Sequence, residues 1–412
     1  CMALIVIPFL LGGCGWFEST SELREEQARY GEELWIGVAW PFASKNDRFR
    51  EGIELGLEEI NEQGGIDGRP VRILVQDDSG AVNQGRRVAQ SFVDDPRILA
   101  VIGHYNSYVA LPAAKIYQFN DMTFVTPGAT NPDLTREDYE FIFRTIPDDD
   151  QTGEQVADYF EKSDFQRSVV LYANNSYGRG FADAFTSRAR KHGLRVVDRL
   201  SYDPDSPEYF EQVIQKWLRY DFDAILLAGS VPSAGEFILR ARRNGMTQPV
   251  VGGDGLDSDQ LYQIAGEYAN HTIVAAPFHP EIDRKSVREF NRKFQSKYDH
   301  LPDPWAVEGY ETIHLLASAM RGVSVPTPQS IAQQLQTMAP RETITGRVAF
   351  DANGNITGKS MIFKTMINSE WKYLGSSDPN EAQTRPLDEF ESPPTMDSAD
   401  TVSRTDTAPV GQ

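Results

Sequence analysis

Residues 34–77 read LWIGVAWPFASKNDRFREGIELGLEEINEQGGIDGRPVRILVQD, and their periodicities decide the fold. LWIGVAW (34–40) is a continuous apolar run, the signature of a strand buried on both faces. In NDRFREGIELGLEEINEQGG (46–65), Phe49, Ile53, Leu57 and Ile60 recur at helical spacing with acids opposite, and Gly64-Gly65 ends the helix. VRILVQD (71–77) is a second strand. Strand, helix, strand within this length is a parallel crossover unit.

The alternation continues. LAVIG (99–103), TFVT (123–126), SVVLY (168–172), LRVVD (194–198), AILLAG (224–229) and PVVGG (249–253) read as strands. Between most of them lie segments of helical period, such as ADAFTSRARKHG and SAGEFILRARRNG. The expected class is α/β, with parallel sheets flanked by helices. The body exceeds what one core usually holds, so two lobes are expected.

Composition narrows the function. Lys plus Arg total 40 against 60 Asp plus Glu, a net charge of −20, which argues against a phosphate-backbone partner. The two cysteines, Cys1 and Cys14, lie at the N-terminus, and the six histidines show no metal-binding spacing. ALIVIPFLL (3–11) has signal-peptide length and runs into Gly12-Gly13-Cys14. The pattern is similar to a bacterial lipobox, with Cys14 as the lipidated residue, although no basic residue precedes it. Residues 15–33 are polar and read as a tether. Residues 376–412 carry eight acids and two arginines among Ser, Thr and Pro, a composition that does not sustain a core.

After the strand at 123–126 comes TPGATNPDLT (126–135). Gly and Pro make plain turns everywhere. The same residues also build ligand-facing loops at the carboxyl edge of a sheet. Local reading leaves both open.

Seven stretches in order settle on one family. GIELGLEEINEQGGIDGRPV (52–71) with QDD (76–78), VIGHYNS (101–107), TPGATNP (126–132), FRTIPDDDQTG (143–153), NNSYGRG (174–180) and GRVAFDANGN (346–355) resemble the leucine/isoleucine/valine-binding proteins. These are type I periplasmic solute-binding proteins of ABC importers, and the resemblance spans roughly 34–376. It implies two Rossmann-like lobes joined by a three-stranded hinge, with crossovers near 148–150, near Pro277 and around 339–346. The expected segments are a signal peptide at 1–13 and a tether at 14–33. Lobe one is 34–148 with 278–338, lobe two is 149–276 with 345–376, and an acidic tail fills 377–412.

The resemblance implies an amino acid held between the lobes. Ser107 would meet its carboxylate, although helix N-capping alone explains a Ser there. In TPGATNP, Gly128 would offer a carbonyl to the ammonium. Thr130 would offer a hydroxyl and amide to the carboxylate, with Ala129 between them. Asp254 matches an acidic counter-ion for the ammonium that is usually Glu; a turn Asp between glycines is the plainer reading. Tyr177 matches an aromatic that closes over the ligand, and Trp305 one beside the side-chain pocket, where a core Trp is the alternative. Ser230 stands where the branched-chain binders carry Tyr, and Lys45 near where they carry Trp. Both departures bear on specificity.

The expected function is extracytoplasmic capture of an amino acid, branched-chain or otherwise neutral, for membrane permease subunits. The attachment is by lipid alone, and no cofactor or catalysis is expected. An amide, urea or small-carboxylate binder, or a sensory domain for a signalling partner, is the alternative. A triad of Ser107, His104 and Asp254 is the one enzymatic arrangement to test. His104 lies three residues from Ser107, and no GxSxG elbow surrounds the Ser.

Overall fold

A computed structural model describes residues 19–45 and 47–377. The segment expected to be a signal peptide (1–13), Cys14 and the expected tail from 378 onward lie outside the described residues. The chain forms two compact units: one of residues through Asp149 with Ile282–Lys359, the other of Asp150–Glu281 with the residues from Ser360.

The first unit opens with helix α1 (Thr20–Tyr30), followed by β1 (Leu34–Trp40), α2 (Phe49–Glu62) and β2 (Val71–Asp77). Next come α3 (Val82–Asp94), β3 (Ile98–Gly103), α4 (Ser107–Phe119), β4 (Phe124–Thr126) and β5 (Ile142–Arg144). The chain then enters the second unit with α5 (Asp149–Lys162), β6 (Arg167–Ala173), α6 (Ser176–Lys191), β7 (Arg195–Tyr202) and α7 (Tyr209–Trp217). It continues through β8 (Ala224–Ala228), α8 (Ser233–Arg243), β9 (Val250–Gly252), α9 (Gln260–Ala265) and β10 (Thr272–Ala276). It returns to the first unit for α10 (Lys285–Tyr298), α11 (Pro304–Arg321), α12 (Pro328–Thr337), β11 (Arg341–Glu342), β12 (Gly346–Phe350) and β13 (Ile356–Lys359). The antiparallel pair β14 (Ile362–Ile367) and β15 (Glu370–Ser376) completes the second unit.

In the first unit, five parallel strands run in the order β2-β1-β3-β4-β5. The second unit has the order β15-β14-β10-β9-β8-β6-β7, parallel from β10 to β7. Each order reverses once, between β1 and β3 and between β6 and β8. Such reversals leave a crevice at the carboxyl ends of the strands, where ligands of open α/β sheets bind. Helices α2 and α11 approach backbone to backbone: a Cβ at Gly52 would stand 1.9 Å from Ala306 O, and one at Gly309 2.6 Å from Phe49 O. Glycine at both positions is a steric requirement.

Three sequence assignments are corrected. The stretch 15–33, read as a tether, holds α1, whose Ser19 and Glu22 form a capping box. Its Arg24 is buried, donating from Nε to Ile98 O at 2.9 Å and from Nη2 to Val93 O. These carbonyls lie at the end of α3 and the start of β3, so the helix docks on the first unit. The second correction concerns 345–359, assigned to lobe two. Here β12 and β13 belong to the first unit, fastened by the buried Lys359, whose Nζ lies 2.9 Å from Glu308 Oε1 and 3.1 Å from Glu311 Oε2 on α11. Residues 278–281, placed in lobe one, fall in the second unit; His279 Nε2 meets Trp371 O of β15 at 3.1 Å.

Candidate functional site

In the first unit the chemistry gathers beside the β1/β3 reversal. Thr126 ends β4, and its Oγ1 donates to His104 O while accepting from Gly128 N and Ala129 N. The hydroxyl thereby folds the PGA turn back on the strand end. Gly128 lies against two rings: a Cβ there would meet Trp40 Cη2 at 2.8 Å and Tyr105 Cδ2 at 2.9 Å. Further along the loop, Asn131 N donates to Ser107 Oγ at 3.2 Å, and Asn131 O accepts from the buried Arg144 guanidinium at 2.7 Å. The loop is thus fixed from three sides.

Ser107 is not the helix cap. Asn106 occupies the N-cap of α4, and Ser107 is its first residue, so the hydroxyl is spent on Asn131 and its proton remains to be donated. Thr130 is 1% exposed, and its Oγ1 has no hydrogen-bond partner among the described residues. A buried hydroxyl without a partner is costly, so its presence in a preorganised loop needs an explanation.

An aromatic wall adjoins the loop. Trp40 stacks on Phe49 at 3.7 Å, and Tyr105 stands edge-on to Trp305 at 4.9 Å. Asp303 caps α11 by accepting from Ala306 N, which fixes Trp305 in the first turn. Trp305 is 1% exposed, and its Nε1 likewise has no hydrogen-bond partner among the described residues. Lys45 places Nζ 3.9 Å from the Tyr105 ring centre and 4.6 Å from that of Trp305. Asp47, whose Oδ2 accepts from Trp40 Nε1 at 3.0 Å, lies 3.8 Å from that ammonium. Burial pushes the Asp47 carboxyl up to about 6, against the opposing pull of Lys45 and with a smaller upward contribution from Asp303.

The second unit gathers its predicted residues beside the β6/β8 reversal. Asn175 caps α6 through Gly178 N and presents Tyr177 from the first turn. Tyr177 OH donates to Asp254 Oδ1 at 3.2 Å and accepts from Gly255 N at 3.2 Å. Asp254 follows β9 and is buried. The glycines around it are sterically required: a Cβ at Gly253 would stand 2.9 Å from Tyr177 OH, and one at Gly255 2.7 Å from Ser230 Oγ. Tyr177, Ser230 and Asp254 therefore form one cluster, with Asp254 opening the short 3-10 turn Asp254–Leu256.

His104 belongs to a different network. Its Nδ1 meets Asp78 Oδ2 at 2.6 Å and its Nε2 meets Tyr117 OH at 3.1 Å, all inside the core. With both ring nitrogens engaged there, His104 does not serve Ser107 as a base. Sequence reasoning missed Trp40, Tyr105 and Asp47 as partners of Lys45. It also missed the buried Lys364–Asp257 pair at 2.5 Å, since a Lys in a strand carries no one-dimensional sign of burial.

A sequence model of the periplasmic binding protein family matches residues 40–368. An ABC transporter substrate-binding protein from Desulfitobacterium hafniense, solved in complex with Leu, is 35% identical, with a TM-score of 0.75 over 83% of this chain and 100% of that one. The branched-chain amino acid transporter substrate binding protein LivJ from Streptococcus pneumoniae, in complex with isoleucine, is 25% identical, with a TM-score of 0.76 over 82% and 98%. Leu/Ile/Val-binding protein homolog 1 of Brucella abortus (strain 2308) is 29% identical over 322 residues, 78% of this chain and 85% of that protein. By the span of its family match and the order of its strands, the chain belongs to the periplasmic binding protein family.

Proposed function

We propose that this protein is the solute-binding component of an ABC importer and that its ligand is an amino acid. Thr130 carries the reading: a buried hydroxyl without a hydrogen-bond partner among the described residues, in a loop held rigid by Thr126, Ser107 and Arg144. Preorganised donors of this kind bind a small carboxylate without further ordering cost. Ser107 and Thr130 serve the ligand carboxylate, with Gly128 and Ala129 supplying close backbone. Asp254, steadied by Tyr177, supplies the negative charge for the ammonium, with Ser230 beside it. Trp305 borders the ligand's side chain.

The relatives that support this reading are transporter binding proteins with leucine or isoleucine bound. The protein's work is capture and delivery to permease subunits, without covalent chemistry. Family membership implies an extracytoplasmic location, and no described helix is long and apolar enough to cross a membrane. Attachment through a lipid on Cys14 completes the proposal; Cys14→Ser should release the protein from washed membranes. Thermal-shift screening of the twenty amino acids tests the ligand class. A ligand at 100 times its dissociation constant stabilises by ~2.7 kcal/mol, and a flat panel would contradict the reading.

A further inference from the structure

Lys45 is held in an unusual way. Its side chain is 13% exposed, and its ammonium faces the Tyr105 and Trp305 rings. Its ion-pair partner Asp47 is 3.8 Å away, beyond hydrogen-bond reach, and Asp303 is near enough to feel its charge without accepting a hydrogen bond from it. Both Asp47 oxygens already accept elsewhere, Oδ2 from Trp40 Nε1 and Oδ1 from Phe49 N. The three N–H donors of Lys45 therefore make no hydrogen bond to any described residue, although most of the side chain is out of water. Beside it stands a second donor of the same kind, the buried indole N–H of Trp305.

These donors are continuous with the proposed carboxylate site. Tyr105, under the Lys45 ammonium, is two residues before Ser107, and its ring abuts the Gly128 backbone. An aliphatic side chain lodged here would leave the ammonium's N–H groups and an indole N–H desolvated without hydrogen-bond acceptors, an expensive arrangement. A side chain ending in a carbonyl oxygen would satisfy both.

We propose that Lys45 and Trp305 select an amino acid whose side chain ends in a carboxylate or carboxamide, so that the ligand is of the glutamate, glutamine, aspartate or asparagine class. The inference rests on the amino-acid reading and narrows it. Tyr105 and Trp40 form the apolar walls along the side chain's methylenes. Lys45 supplies charge and donors, and Trp305 a directional N–H.

Calorimetry on the full chain with glutamate, glutamine, aspartate, asparagine, leucine, isoleucine and valine tests it. The wild type should bind one of the first four at least about tenfold more tightly than any branched-chain amino acid. Glutamate over glutamine, or the reverse, separates charge recognition from hydrogen bonding. Lys45→Met should lose about tenfold or more for the preferred ligand while binding leucine no worse than wild type. Lys45→Arg should retain most of the affinity. Should Lys45→Met fold poorly, the wild-type ranking with Lys45→Arg decides. Leucine bound most tightly, with Lys45→Met unchanged, would overturn the role of Lys45 and leave the amino-acid reading standing. Binding of none of the seven would overturn both.

Discussion

Lys359 Nζ lies 2.9 Å from Glu308 Oε1, an ion pair with both side chains almost wholly out of water. It fastens the last strand of the first unit to α11, the helix whose first turn presents Trp305. Glu311 Oε2 closes the cluster at 3.1 Å and also accepts from Thr345 Oγ1, while Glu311 Oε1 accepts from Thr345 N. Removing the cation would leave two buried carboxylates facing each other. Lys359→Met should therefore lower stability by about 3–5 kcal/mol, read from denaturant midpoints. A loss below about 1 kcal/mol would mean that the pair carries little of the packing.

The same cluster makes stability depend on pH. Burial, with a smaller push from Glu311, raises the Glu308 carboxyl to about 7 against the pull of Lys359. A carboxyl raised in the folded state binds its proton more tightly there than in the unfolded chain. Its contribution is complete below the unfolded value and is lost as pH rises through the folded one. Between about pH 4.5 and 7 the wild type should therefore lose stability relative to Glu308→Gln, by on the order of 3 kcal/mol. Parallel stability curves for the two proteins would contradict the assignment.

Arg24 tests whether α1 belongs to the folded body. Its guanidinium donates to backbone carbonyls of Val93, Asp95 and Ile98. Arg24→Ala removes hydrogen bonds from a charged group, each contributing ~1.5–3 kcal/mol net at most, so a loss of at least about 2 kcal/mol is expected. An unchanged melting temperature would restore the tether reading.

Thr130→Val separates binding from folding. The hydroxyl has no hydrogen-bond partner among the described residues, so an isosteric methyl should leave stability unchanged or slightly raised. Amino-acid affinity should fall about tenfold, because the hydroxyl would serve a charged carboxylate. Ser107→Ala should reduce both, since Ser107 also holds Asn131 N.

The parts legible in the sequence were those governed by period and punctuation. Apolar runs such as 34–40 and 224–228 appear as strands because both faces of a parallel sheet are buried. The three-residue strands β5 and β9 differ in this respect: PVVGG stood out between turn signals, whereas the strand Ile142–Arg144 carries a charged residue that is wholly buried. The helix α1 had a visible start signal in Ser19-x-x-Glu22, but its polar face concealed the docking of Arg24, whose partners are backbone carbonyls with no sequence signature. The burial of Lys359, and the burial and ring partners of Lys45, escaped for the same reason. Burial of a charge depends on partners far along the chain, and a one-dimensional pattern reads such a residue as solvated.

The most direct test of the central claim is calorimetric titration of wild type and Asp254→Asn with the amino acid that screening selects and with its analogue lacking the α-amino group. Asn keeps the shape of the side chain, including an oxygen for Tyr177 OH, and removes the charge. Breaking a buried ion pair costs ~3–5 kcal/mol, so the amino acid should bind the variant at least about tenfold more weakly. The des-amino analogue should bind the wild type poorly and lose little more in the variant. Equal amino-acid affinity for the two proteins would contradict the account.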